Sequence, residues 1–211
     1  EDGMNVTNTP ATTEVPVTKN WNDNSNQYGT RPTEITVNLI AKITKAGKAT
    51  DVTTEIFGGA KQATVKGTAT DKTWSYTFKD LPKYYDGQLV SYSVTEEEVQ
   101  GYNGSVQNYT ITNTPALVSK SGEKTWSDNN NALGNRPAEI TITLKAKNAA
   151  GKELTIPTDK VATQSLTINE ADNNWKWTFS GLPISLADED GTYYEAVYYV
   201  VETLPAGYTK S

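Results

Sequence analysis

Residues 19–42 read KNWNDNSNQYGTRPTEITVNLIAK, and residues 124–147 read KTWSDNNNALGNRPAEITITLKAK. Lys19, Trp21, Asp23, Gly29, Arg31, Pro32 and Glu34 match Lys124, Trp126, Asp128, Gly134, Arg136, Pro137 and Glu139 in the same order. Working outward, WSYTFKDLP (74–82) matches WKWTFSGLP (175–183). SYSVTEEEVQGY (91–102) matches YYVVETLPAGY (198–208), which sets Glu96 opposite Glu202 and Tyr102 opposite Tyr208. The chain is a tandem duplication with a period slightly over 100 residues, so one supersecondary plan serves both halves.

Within each copy, EITVNLIAK and EITITLKAK alternate apolar and polar residues at period two, the pattern of a half-buried strand. WSYTF, VSYSV and YTITN alternate in the same way. Turn-forming clusters separate them, among them NDNSNQYG, KAGK, YYDG and DEDG. No window carries a helical period. The expectation is an all-β fold, two tandem β-sandwiches of about seven short strands each.

The two copies differ at their ends. Copy one runs on past Gly101-Tyr102 through NGSVQNYTITNTP, whereas copy two reaches Gly207-Tyr208 and then Thr209-Lys210-Ser211. The opening stretch EDGMNVTNTP has the layout of that final strand. Residues 1–10 therefore read as the terminal strand of a second-type module, completing module two of a neighbour or of the same chain. Residues 11–16 read as a linker, 17–115 as module one, 116–122 as a second linker, and 123–211 as module two without its last strand.

Composition narrows the function. The 211 residues include no Cys and no His, and the net charge is −6 at pH 7. Without Cys there is neither a disulfide framework nor a thiolate metal site; without His the commonest general base and metal ligand is missing. The acidic balance argues against nucleic acid, and no apolar run approaches the ~20 residues of a membrane span. No phosphate loop, catalytic triad or glycosidase-like carboxylate pair stands out, so the chain reads as no enzyme in the turnover sense. The loops holding Asp23 and Asp128 alternate Asp and Asn as oxygen-ligand calcium loops do, yet lack the glycine and distal glutamate of an EF-hand. Solvated turns are their default reading, and no metal or cofactor is expected. Arg31-Pro32 and Arg136-Pro137 read as strand entry with local pairing.

The spaced pattern V-x-K-x-W-x-D…R-P…W-x-Y-x-F-x-x-L-P…Y-x-V-x-E…G-Y…I-T-N-T resembles the CnaB (collagen-adhesin B-type) repeats of Gram-positive surface proteins, across nearly the whole chain. The resemblance implies inverse immunoglobulin-like sandwiches. It also implies a self-made isopeptide bond, in which a Lys of the first strand attacks an Asn of the last with help from a Glu. Carried over, copy one supplies Lys19, Asn113 and Glu96, with Glu98 a weaker alternative on the same strand face by alternation. Copy two supplies Lys124 and Glu202, and its matching Asn is Asn8. Such a reaction needs a neutral lysine, which burial favours. It also needs a buried carboxyl able to donate to the amide carbonyl and reactants held near attack distance. Trp21, Phe78, Tyr92 and Tyr109 are candidate apolar walls.

The implied role is a structural stalk of a cell-surface adhesin, extracellular and wall-anchored in the full-length protein. Its partners would be neighbouring repeat modules, other copies head to tail through residues 1–10, or a host-surface protein. A ligand-binding module for extracellular matrix and a pilus subunit segment are the competing roles.

Overall fold

The computed structural model describes residues 6–209. The main division between two compact units falls at Thr114/Pro115. In the first unit the strands are β1 (Thr12–Trp21), β2 (Glu34–Lys45), β3 (Lys48–Asp51), β4 (Lys61–Lys66), β5 (Thr73–Pro82), β6 (Tyr84–Tyr85), β7 (Gln88–Leu89), β8 (Ser91–Glu96), β9 (Tyr102–Gln107) and β10 (Thr110–Pro115). A one-turn helix α1 (Thr53–Phe57) follows β3. One sheet has the order β5-β1-β10-β9; in the other, β2 pairs with β3, β4 and β8. The period-two alternation explains the sandwich. Val15, Val17, Ile35, Val37, Leu39, Phe78, Leu81, Val94 and Ile111 are all at most 4 % exposed and form the core between the sheets.

The join between β1 and β10 matters most for the site. The two strands lie side by side and parallel, with Lys19 opposite Ile111 and Trp21 opposite Asn113. Parallel neighbours cannot be linked by a tight hairpin, and here the whole unit is the connection. The first and last strands of the unit thus become adjacent.

The second unit repeats the plan with β11 (Leu117–Glu123), β12 (Glu139–Lys147), β13 (Glu153–Leu154), β14 (Ser165–Asn169), β15 (Lys176–Pro183), β16 (Ser185–Ala187), β17 (Tyr193–Glu195) and β18 (Val197–Glu202). A short helix α2 (Glu170–Asn173) follows β14. Strand β12 pairs with β13, β14 and β18, around a core that includes Ile142, Leu144, Ile168, Phe179, Leu182 and Leu186. Facing it, β11 pairs with β15 alone. Among the described residues no strand takes the place that β10 holds in the first unit.

Two expectations need correction. Residues 12–16, read as linker, begin β1, and Thr12 is in register with Pro82. Likewise 117–122 lie in β11, with Leu117 opposite Pro183. The reason is visible in burial: Val15 and Val17 continue the inward alternation of Lys19 and Trp21, so the strand starts well before the repeat motif does. Residues 6–10, the described part of the stretch read as a terminal strand, are exposed and outside any strand of this chain; positions 1–5 of that reading lie outside the described residues. The two helices are a single turn each, too short to produce a period. The second is fixed by the Asn169 side chain, which accepts from the Asp172 N–H at 2.7 Å, a local N-cap. No helix among the described residues is long and apolar enough to cross a membrane.

Candidate functional site

In the first unit β1 sends Val15, Val17, Lys19 and Trp21 inward, and β10 sends Ile111 and Asn113 inward. Lys19 is thus two residues along from the partner of Asn113, a diagonal neighbour on one sheet face. Glu96, the last residue of β8, comes from the opposing sheet, where it pairs with Val37. Lys19 Nζ lies 2.9 Å from Glu96 Oε1, and their side chains are 0 % and 7 % exposed. Asn113 is fully buried. Neither its amide nitrogen nor its amide oxygen has a hydrogen-bond partner among the described residues. A buried amide left unpaired is costly and uncommon.

Aromatic rings line this pocket. The Trp21 ring lies 4.2 Å from Lys19 Nζ. Trp74 and Tyr102 pack edge-on against Trp21, each with centroids 5.1 Å away. Phe78 is in the core and Tyr92 and Tyr109 pack against it half-buried. Burial pushes the Lys19 ammonium down to about 8 from 10.5, against the opposing pull of Glu96. Glu98, the alternative carboxylate, is exposed and lies beyond the end of β8, where the alternation has stopped.

Gly104 completes the pocket and was not legible as a site residue. A Cβ at this position would stand 3.2 Å from Asn113 Oδ1 and 3.4 Å from Glu96 Oε2. The available signal was a glycine inside a strand, which marks close approach. A cavity of ≈ 320 Å³ opens here, lined by Glu96, Tyr102, Gly104 and Ile111 among others.

In the loop after Trp21 the Asp23 carboxylate is taken up by protein donors. Arg31 donates to both oxygens of Asp23, at 2.5 and 3.0 Å. The Asn26 N–H and the Tyr102 hydroxyl donate to the same carboxylate at 3.0 and 2.9 Å. Burial raises the Asp23 pKa, but these donors outweigh it and hold the group below the usual carboxylate range. Asn24, Ser25 and Asn26 all take positive φ to turn the loop back. Among the described residues no group of three or more His, Cys, Asp or Glu could hold a metal ion.

The second unit repeats the half of the site its strands supply. Lys124 directly follows β11, and its N–H donates to the Trp175 carbonyl at 2.8 Å. Lys124 Nζ donates to Glu202 Oε2 at 3.1 Å, with both side chains 21 % exposed. The Trp126 ring lies 4.6 Å from Lys124 Nζ. Asp128 accepts from Arg136 at 2.6 and 3.0 Å and from the Tyr208 hydroxyl at 2.9 Å. The Arg136 hydrogen bonds are the main reason its carboxyl is held well below the usual range. Among the described residues no strand brings an asparagine to the place that Asn113 holds in the first unit; Asn8, the sequence match, is exposed. Instead a cavity of ≈ 950 Å³ opens beside β11, lined by Lys124, Trp126, Asp128, Leu133, Glu202 and Tyr208 among others.

Lys19, Glu96 and Asn113 are the groups an amide condensation would need. A proton passed from Lys19 to Glu96 across 2.9 Å would leave a neutral amine beside a protonated acid. The amine would attack Asn113 Cγ. Glu96 would hand its proton to the leaving nitrogen and take the second proton of the attacking amine, so that one C–N bond forms, one C–N bond breaks and ammonia departs.

Comparison with known proteins finds the same duplication. The family described as Cna protein B-type domain matches residues 15–114 and 120–211. A collagen adhesin of Staphylococcus aureus is 38% identical over 209 residues, 97% of this chain and 15% of that protein. The chain thus spans a small part of the curated relative it matches. The crystal structure of a single B repeat unit (B1) of the S. aureus collagen-binding surface protein is 35% identical, with 94% of this chain and 90% of that one covered and a TM-score of 0.35. A structure of two such units (B1B2) is likewise 35% identical, covering 95% of this chain and 45% of that one, TM-score 0.35.

Proposed function

This chain belongs to the Cna protein B-type domain family, and from that premise we propose that it is a stalk segment of a bacterial surface adhesin, sealed by its own chemistry. The observation that carries the reading is the buried triad of Lys19, Glu96 and Asn113, which bridges the first and last strands of one unit. Force pulling on the ends of such a repeat enters through β1 and leaves through β10. A Lys19–Asn113 amide carries that force from strand to strand and leaves the core unloaded. A duplicated module serves reach, and the apolar walls serve the condensation; neither calls for a ligand. The reaction happens once per molecule, so the chain is a self-sealing structural element and no turnover enzyme. Stretching single molecules by their ends tests this: the first unit should not lengthen, as the Discussion argues.

The second unit extends the proposal. Its free β11 edge and the cavity beside Lys124 fit an added strand, and the matching segment is residues 1–10 of a neighbouring copy. Asn8 would then condense with Lys124, aided by Glu202. Boiled denaturing gels of the concentrated protein should show a ladder of covalent multimers that disappears in Asn8→Ala. A single monomer band at every concentration would contradict this reading, as would a monomer that has lost two ammonias, because that places Asn8 on its own chain.

A further inference from the structure

Each unit carries a structure that the condensation itself does not use: an aspartate held by an arginine fork and a tyrosine hydroxyl. In the first unit these are Asp23, Arg31 and Tyr102, and in the second Asp128, Arg136 and Tyr208. In both, the arginine also lies over the tryptophan two residues before the aspartate, at 5.1 Å in the first unit and 5.4 Å in the second. In both, the tyrosine packs edge-on against that same tryptophan, at 5.1 and 5.0 Å. The opposite side of the indole neighbourhood is closed by Trp74 and Trp175, each at 5.1 Å. The indole is therefore held by three residues, and the lysine amine sits 4.2 or 4.6 Å from it.

The repetition separates two explanations. If the clasp were only a consequence of a finished module, it would need the last strand. Yet in the second unit no described strand completes the sheet beside β11, and the clasp, the indole and the Lys124–Glu202 contact are all in place. We infer that the Asp–Arg–Tyr clasp is a positioning device that builds the lysine–glutamate half-site before the last strand arrives, so that the strand brings only the asparagine. This rests on the isopeptide reading above. Asp23, Arg31 and Tyr102 converge on Trp21. They act through Trp21, which shields Lys19 from water and fixes where its amine points. The charged or titratable groups facing Lys19 are Glu96 from β8, Asp23 and Arg31 from the loop after β1, and Tyr102 from β9.

The test follows the bond as it forms. Full-length chain is made by cell-free synthesis at several pH values, quenched in acidic denaturant at intervals, and weighed intact. In wild type, ammonia loss should accelerate as pH rises through about 8, where Lys19 titrates. Arg31→Gln should slow the loss by about tenfold or more at neutral pH, since small misplacements of reacting groups are costly. It should also move the pH midpoint upward, because water reaches Lys19 and Asp23 is left without its counter-charge. Arg31→Lys should not rescue, since an ammonium cannot supply the two-pronged contact. Tyr102→Phe keeps the ring on Trp21 and loses only the hydroxyl; it should show a smaller slowing, and it guards against a misfolded Arg31 variant. Far-UV circular dichroism reports whether each variant is folded. Folded variants with wild-type rate and midpoint overturn the inference, and so does a slowing that follows the unfolded fraction with the midpoint unmoved. No ammonia loss in wild type would instead overturn the isopeptide reading.

Discussion

A chain carrying Glu96→Gln should fold and keep the Asn113 ammonia that wild type loses at neutral pH. The glutamine keeps the shape of the side chain between β8 and the opposing sheet but can no longer relay a proton. Positioned acid–base groups contribute roughly 10²–10⁴-fold in rate, so condensation should slow by about that factor. The variant also separates two roles of the carboxylate. Glu96 pulls the Lys19 pKa up, while burial pulls it down. Losing Glu96 therefore leaves more of the lysine neutral, which by itself favours attack. If the carboxylate were only a counter-ion, Glu96→Gln would seal at least as fast as wild type. A slow variant identifies Glu96 as the proton carrier. Intact mass after timed incubation decides between them.

The second large effect is mechanical. Held by its two ends and stretched, wild type should release no length from the residues between Lys19 and Asn113. Lys19→Met and Asn113→Ala should each release that whole segment, at up to ~3.3–3.6 Å per residue. The difference is all or none, because an amide does not yield at forces that open a sandwich. Two variants on opposite strands guard against a repacking artefact at either position. In a thermal melt the same variants should lose about 4–5 kcal/mol, the loop-closure value for a cross-link spanning a segment this long. Equal extension of wild type and both variants would mean that no bond joins β1 to β10.

The family resemblance singled out Lys19, Glu96 and Asn113, and the repeat set Lys19 and Glu96 against Lys124 and Glu202. A lone lysine in a strand is ordinarily surface charge, but Lys19 and Lys124 share one place in a duplicated pattern. The structure puts Lys19 at 0 % exposure, beside Glu96. The sandwich was legible for the same reason, since strand alternation is a local property. What was hidden is contact between distant residues. Asp23, Arg31 and Tyr102 all stood among the matched positions, but nothing local joins Tyr102 to a loop 79 residues earlier. Gly104 gave only a weak signal, because its importance lies in two side chains from other strands. The boundaries failed where polar residues masked a strand: T-T-E-V-P-V looks like linker until Val15 and Val17 are seen facing the core. Asn8 was legible by layout, yet in the described chain it is exposed and away from any strand.

The most direct measurement is the intact mass of the unaltered chain under denaturing conditions, followed by fragment mapping around Lys19 and Asn113. Every species should be lighter by at least one ammonia per chain, with a branched fragment joining those two residues. A chain at its full sequence mass, with Lys19 and Asn113 recovered in separate unmodified fragments, would contradict the account.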